Sequence, residues 1–256
     1  MAYLPGKFVW YEHMSDDVER ARAFYGALFG WTSDPVDMGG MPYHMIQNGA
    51  RGIGGFRTGE IAWPAMWMSY MSVEDVDGAV GRAAALGAKV LLPPTDFPPV
   101  GRGAMLTDPQ GAVFSVWRSA EGDPPESGGQ SGDWCWNELS TPDDLAALAF
   151  YEQAFGYRHI SRDMGDFVYH ILTRADGGMC GGLMRTPLGA PPQPFWTPYV
   201  VVEDADAIAA RAPELGGMLC YGPQDIPDVG RFAVLADPQN AVFAVLKPAM
   251  TAPAGC

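Results

Sequence analysis

Residues 20–31 read RARAFYGALFGW, and residues 146–157 read AALAFYEQAFGY. Each carries a Phe-Tyr pair, a short apolar run and then Phe-Gly followed by an aromatic residue. Working outward, the likeness persists. Trp10-Tyr11-Glu12 returns as Trp136-Asn137-Glu138, and Tyr43-His44 as Tyr169-His170, all at one offset. Further along, Gly101-Arg102 matches Gly230-Arg231, and Asp108-Pro109-Gln110 matches Asp237-Pro238-Gln239, at an offset three residues longer. A constant offset with one small slip marks two copies of one folding unit. Each candidate site residue therefore has a counterpart against which it can be checked.

The same stretch opens each copy's element order. Before it, Phe8 to Glu12 alternates two faces as a strand does, with Trp10 and Glu12 on one and Val9 and Tyr11 on the other. Val18, Ala21, Phe24, Tyr25 and Leu28 then form a helical stripe that Ser15 or Asp16 can cap and Gly30 can end. In the second copy Thr141-Pro142 offers a cap followed by a first-turn proline, and Leu145, Leu148, Tyr151 and Phe155 form the stripe. Short strands over 43–47 and 52–57 follow, repeated at 168–173 and 179–185. A second strand and helix come next, at 67–73 and 76–86, then at 199–202 and 204–215, where Pro213 must end or kink the helix. Each copy closes with two strands, around 103–106 and 112–117, then 232–235 and 241–246, the first pair joined by the turn at Asp108-Pro109-Gln110-Gly111. This divides the chain into modules at 1–118 and 133–248, a polar, flexible linker at 119–132 and a loose tail at 249–256.

Composition narrows the function classes. The net charge is −14 and no basic run occurs, which argues against nucleic acid and anionic membrane surfaces. No apolar run approaches spanning length, and no signal-peptide pattern is present, so a cytoplasmic protein is expected. Cys135, Cys180, Cys220 and Cys256 all lie in the second half without CxxC spacing, which reads as reduced thiols rather than a disulfide or zinc framework. Gly52-Ile53-Gly54-Gly55 lacks both the spacing and the strand–helix context of a dinucleotide-binding loop.

Taken together, the duplicated Phe-Tyr…Phe-Gly and Asp-Pro-Gln landmarks make the chain resemble the vicinal oxygen chelate superfamily, the group of glyoxalases, bleomycin-resistance proteins and extradiol dioxygenases. In more detail it resembles tandem two-module glyoxalase-like proteins of actinobacteria. The resemblance implies an α+β fold of two tandem modules, each of paired βαβββ units curling into a half-barrel sheet around a cavity. It also implies metal ligands at set strand positions. Carried over residue by residue, those positions hold Trp10 and Trp136, the pairs Gly54-Gly55 and Gly181-Gly182, Met68 and Thr197, and Ser115 and Ala244. None supplies the imidazole, carboxylate or thiolate that a transition metal needs, so no metal and no cofactor are expected.

What remains is an aromatic, methionine-rich strand surface. Trp63, Trp67, Met66 and Met71 add to it in the first copy, and alternation turns Trp10, Met68, Tyr70, Ser115 and Trp117 inward, with Trp136, Thr197 and Tyr199 in the second. Such walls suit a small, flat, largely apolar ligand. Glu12 and Glu138 share the strand face of the lost ligand position. They read either as general acid–base groups or, the favoured reading, as structural carboxylates paired with Arg102 and Arg231. His44 and His170 recur among only four histidines and read as ligand-contacting or catalytic, or as hydrogen-bonded structural groups. His13 and His159 have no counterparts and read as incidental. Two hypotheses follow: a metal-free binding protein, or a metal-independent lyase, isomerase, cyclase or dioxygenase-type enzyme of the same superfamily using Glu12, Glu138, His44 or His170. Partners are expected to be a small molecule only, with the chain acting as a monomer holding an internal pseudo-dimer, or as a homodimer.

Overall fold

The computed structural model describes residues 3–37, 42–59, 64–124, 129–187 and 192–249. Trp63, part of the expected linker and nearly all of the expected tail lie outside them. The first copy runs β1 (Phe8–Ser15), α1 (Val18–Phe29), β2 (Thr32–Asp37), β3 (Pro42–Asn48), β4 (Arg51–Thr58), β5 (Met66–Ser72), α2 (Val76–Ala85), β6 (Lys89–Phe97), β7 (Gly101–Thr107) and β8 (Val113–Ser119). The second repeats it: β9 (Trp134–Thr141), α3 (Asp144–Phe155), β10 (Arg158–Asp163), β11 (Val168–Thr173), β12 (Met179–Arg185), β13 (Phe195–Val201), α4 (Ala205–Glu214), β14 (Met218–Ile226), β15 (Gly230–Ala236) and β16 (Val242–Pro248). Each copy makes one eight-stranded sheet, in the orders β2-β3-β4-β1-β5-β8-β7-β6 and β10-β11-β12-β9-β13-β16-β15-β14. Among the described residues, no helix is long and apolar enough to cross a membrane.

Local chemistry explains the helices. Asp17 and Asp143 cap α1 and α3 by accepting the N–H of Arg20 and Ala146. Gly30 and Gly156 close them in the left-handed conformation, at φ 73° and 75°. The caps expected at Ser15 or Asp16 and at Thr141-Pro142 come too early, because β1 and β9 run on through Ser15 and Thr141. Pro213 sits in the last turn of α4, which ends one residue later. Strands β2, β6, β10 and β14 escape the hydrophobic-pattern reading, and all four are sheet edges.

Contacts divide the chain into two compact units that cut across the copies. One comprises Met1–Trp10, Ser69–Pro125 and Trp136–Trp196, and the other Tyr11–Met68, Glu126–Cys135 and Thr197–Cys256. The sheets follow the copies, but each packed core takes half of its elements from each copy. In the first unit α2 packs on α3, burying Ala79, Ala83, Ala147 and Tyr151, and Arg82 Nε donates to the Ala154 carbonyl at 3.1 Å. In the second, α1 packs on α4 and buries Phe24, Tyr25 and Phe243 in a cluster of rings. Contacts occur at a described residue of the expected 119–132 linker and just beyond its end. Asp123 accepts from the Ser72 hydroxyl and the Leu4 N–H, both at 2.6 Å. Asp133 binds Asn48 and Arg51.

Candidate functional site

Strand register sorts the candidate residues onto two faces, one covered by helices and one not. In the second unit Glu12 lies opposite Gly55, Tyr43 opposite Arg57, and His44 opposite Phe56. Glu12, Tyr43 and Arg57 therefore share the face away from α1, while His44 lies on the helix side with the buried Phe56. The histidine and glutamate of the first copy do not meet. Glu12 is buried, with Arg57 Nε 3.5 Å from its carboxylate. The carboxylate does have an arginine partner, but it is Arg57 rather than Arg102 or Arg231.

The first unit holds the second copy's version. Glu138 lies opposite Gly182, and Tyr169 opposite Met184. Trp136 Nε1 donates to the Tyr169 hydroxyl at 2.9 Å, and that hydroxyl donates to Glu138 at 2.8 Å. Burial first, then the adjacent Glu138 charge, push the Tyr169 phenol well above its ordinary pKa, so it stays a neutral donor. Both copies lay the tyrosine over a glycine. A Cβ at Gly55 would strike the Tyr43 ring, and one at Gly182 the Tyr169 hydroxyl. Where the first copy has Arg57, across from Met14, the second has Met184, across from Ser140. The first copy thus sets an arginine beside its carboxylate where the second has a methionine, and in the second a phenol held by an indole donates to the carboxylate.

The aromatic wall expected on β5 and β8 is present within the first unit. Tyr70 pairs with Ser115, and Ser72 with Trp117. The Tyr70 and Trp117 rings stand 6.1 Å apart edge to face, with Phe97 5.9 Å from Trp117. Gly103 leaves room for the indole, since a Cβ there would lie 2.6 Å from it. In the second unit Met68, Thr197 and Tyr199 are buried, and Tyr199 lies opposite Ala244. Trp10 and Trp136 are half-buried. Arg102 and Arg231 do not belong to these faces. Arg102 forks onto Asp77 of α2 at 2.9 Å and onto Asp96, and Arg231 onto Asp206 of α4 and Asp225. Both fasten a helix to its sheet, which corrects their expected pairing with Glu12 and Glu138.

His170 also lies on the helix side, opposite Leu183, with Nε2 3.3 Å from Asp144 at the start of α3. His13, expected to be incidental, is fully buried, and its Nε2 donates to Asp237 at 2.6 Å. The Tyr25 hydroxyl donates to the same carboxylate at 3.2 Å and receives Trp67 Nε1 at 2.7 Å. In the first unit Trp196, Tyr151 and Asp108 repeat the chain, with Leu139 at the position equivalent to His13. Burial raises the Asp108 carboxyl, and hydrogen bonds from the N–H groups of Ala112, Gly111 and Gln110 offset only part of that rise. The sequence landmarks are therefore contact partners, the Tyr of one copy with the Asp of the other. Their repetition flagged them, but nothing in the spacing announced the exchange.

Among the described residues, no three of His, Cys, Asp and Glu come together as a metal would require. The positions where a metal-dependent relative would place its ligands hold indole, glycine, thioether, hydroxyl and methyl groups, which do not fit such an ion.

Residues 12–117 match the glyoxalase-like domain family. Over 253 residues the chain is 36% identical to CFP32 of Mycobacterium tuberculosis, a candidate glyoxylase, across 96% of this chain and 97% of that protein. It is 32% identical over 264 residues to the anthracycline biosynthesis protein DnrV of Streptomyces peucetius, across 96% and 94%. The Mn(II)-bound glyoxalase from Novosphingobium aromaticivorans is similar in fold, with a TM-score of 0.63 at 17% identity, covering 95% of this chain and 81% of that one.

Proposed function

Because this chain belongs to the glyoxalase-like family of the vicinal oxygen chelate superfamily, we propose that it binds a small, flat, largely apolar molecule without a resident metal. The observation that carries this reading is the substitution of the ligand positions. Trp10, Met68 and Ser115, with Trp136, Thr197 and Ala244, stand where metal donors would be needed in both copies. The helix-free face of the first unit adds Tyr70, Trp117 and Phe97, a ring-lined wall on which a fused aromatic system can stack. The relative named for anthracycline biosynthesis makes a polycyclic aromatic the first ligand class to test.

Titration with a soluble anthraquinone is expected to quench tryptophan fluorescence saturably. Trp117→Leu should weaken that binding about tenfold, the equivalent of roughly 1.4 kcal/mol. Stoichiometric transition metal in the purified protein by elemental analysis, or no saturable quenching by any polycyclic aromatic, would sink the reading.

A second reading is favoured by one observation, the Tyr169 phenol held on Glu138. A carboxylate that accepts from a neutral phenol can take a proton from carbon, as a metal-independent isomerase or cyclase requires. Glu138→Gln separates the two. A binding protein retains its affinity within a few-fold, whereas an enzyme loses turnover while still melting like the wild type.

A further inference from the structure

His44 and His170 occupy the same place in the two copies, yet their surroundings differ. In the first copy the residue opposite His44 on the neighbouring strand is Pro35, and the helix position equivalent to Asp144 is Val18. The His44 Nδ1 atom is buried without a hydrogen-bond partner. In the second copy the opposite residue is Ser161, whose hydroxyl lies 2.9 Å from His170 Nδ1. On the other side of the ring His170 Nε2 lies 3.3 Å from Asp144 Oδ2. Two separate changes, Pro to Ser on the edge strand and Val to Asp on the helix, thus supply both partners to one imidazole.

We propose that Ser161, His170 and Asp144 form a nucleophile relay, outside the helix-free faces, that reacts with small acyl esters. The order of groups is what such chemistry needs: a hydroxyl on one ring nitrogen and a carboxylate on the other. His170 is buried, so its ring is held, while Ser161 is exposed on β10, so its oxygen can be reached. Asp144 remains ionised. Burial raises its carboxyl, but hydrogen bonds from Arg185, at 2.8 and 3.0 Å, and from His170 outweigh it and the net shift is downward. In the ring form such a relay uses, Nε2–H lies toward Asp144 and the Nδ1 lone pair toward Ser161. Among the described residues β10 is the edge of its sheet, so its outward N–H groups face no neighbouring strand, the donor type that a developing oxyanion needs. Val168, exposed and on the same face one pair along, offers apolar surface for a short acyl chain.

The step balances within these groups, ester and water. Ser161 Oγ bonds to the ester carbonyl carbon as its proton passes to His170 Nδ1. The carbonyl-to-alkoxide bond then breaks, and the imidazolium returns that proton to the leaving alcohol. Water repeats the sequence on the acyl-serine, releasing the carboxylic acid and restoring Ser161.

The test is labelling of the full chain with an alkyl fluorophosphonate, with adduct mapping by peptide mass spectrometry. One adduct on Ser161 is expected. Ser161→Ala, an exposed change that leaves the fold intact, should abolish it. His170→Gln, checked for a native melting curve, should slow labelling roughly a hundredfold. If that variant does not fold, Asp144→Asn provides the same readout. No adduct, an adduct elsewhere that survives Ser161→Ala, or unchanged labelling in a folded His170→Gln or Asp144→Asn protein would overturn the assignment.

Discussion

Asp237→Ala is expected to destabilise the protein by about 3–5 kcal/mol in equilibrium denaturation, while His13→Leu costs about 1 kcal/mol or less. The two residues form one buried pair at 2.6 Å, so a simple pair picture would make the losses equal. The carboxylate, however, does more than meet the histidine. Its Oδ1 accepts the N–H groups of Gln239 and Ala241 at 2.8 and 2.9 Å, and its Oδ2 accepts the Tyr25 hydroxyl. Alanine leaves those buried donors and the imidazole without partners, and each orphaned group costs its own desolvation. Removing the histidine instead recreates what the first unit already contains. There Asp108 stands with Tyr151 and three turn N–H groups, and Leu139 fills the equivalent strand position. Similar losses in the two variants would show that the histidine, rather than the turn and the tyrosine, sets the value of the carboxylate.

Gly54→Val should cost about 3 kcal/mol or more, whereas Gly81→Ala should stabilise by about 0.5–1 kcal/mol. Both are glycines inside regular elements, and only their surroundings differ. A Cβ at Gly54 points straight at the Tyr11 carbonyl oxygen of the neighbouring strand, which cannot move without breaking the β1–β4 ladder. Gly181 repeats the problem with the Asn137 carbonyl at 2.7 Å. At Gly81, in α2, a Cβ meets nothing within 4 Å. Thermal melting of the two variants beside the wild type measures the contrast. A Gly54→Val protein that melts within a few degrees of the wild type would mean that β1 and β4 can shift apart freely.

The duplicated landmarks made the tandem fold legible before any coordinates, and the reason is physical. Phe24-Tyr25, Gly30 and Asp108, with their copies, occupy positions where a ring must be buried, a helix must stop or a turn must be tied, and few residue types serve. The four strands that hydrophobic patterning missed were sheet edges. An edge strand is solvated along much of its length, so alternation fades, and β2, β6 and β14 even accommodate prolines. The site was read less well. Assigning Glu12 and Glu138 to one face needed only period two, and it held. Finding that His44 and His170 lie on the other face needed the register of β3 on β4 and of β11 on β12. Arg102 and Arg231 looked like partners for those carboxylates because they recur, but they recur to tie helices down. His13 was discounted because it does not recur, although it sits at the centre of a buried network.

Each packed core is shared between the copies, and this governs how the chain comes to its final form. Tyr25 waits for Asp237, and Tyr151 closes on an Asp108 made long before it. During synthesis the emerging first copy has a complete sheet sequence but no complete core. The second unit cannot close until the last strands leave the ribosome, so folding is dominated by contacts remote in sequence and is intrinsically slow. The same arithmetic constrains origins. A half-length ancestor carrying a single copy could complete these cores only by trading halves with a sister chain. Two copies in one chain turn an encounter that would depend on concentration into one within a single molecule.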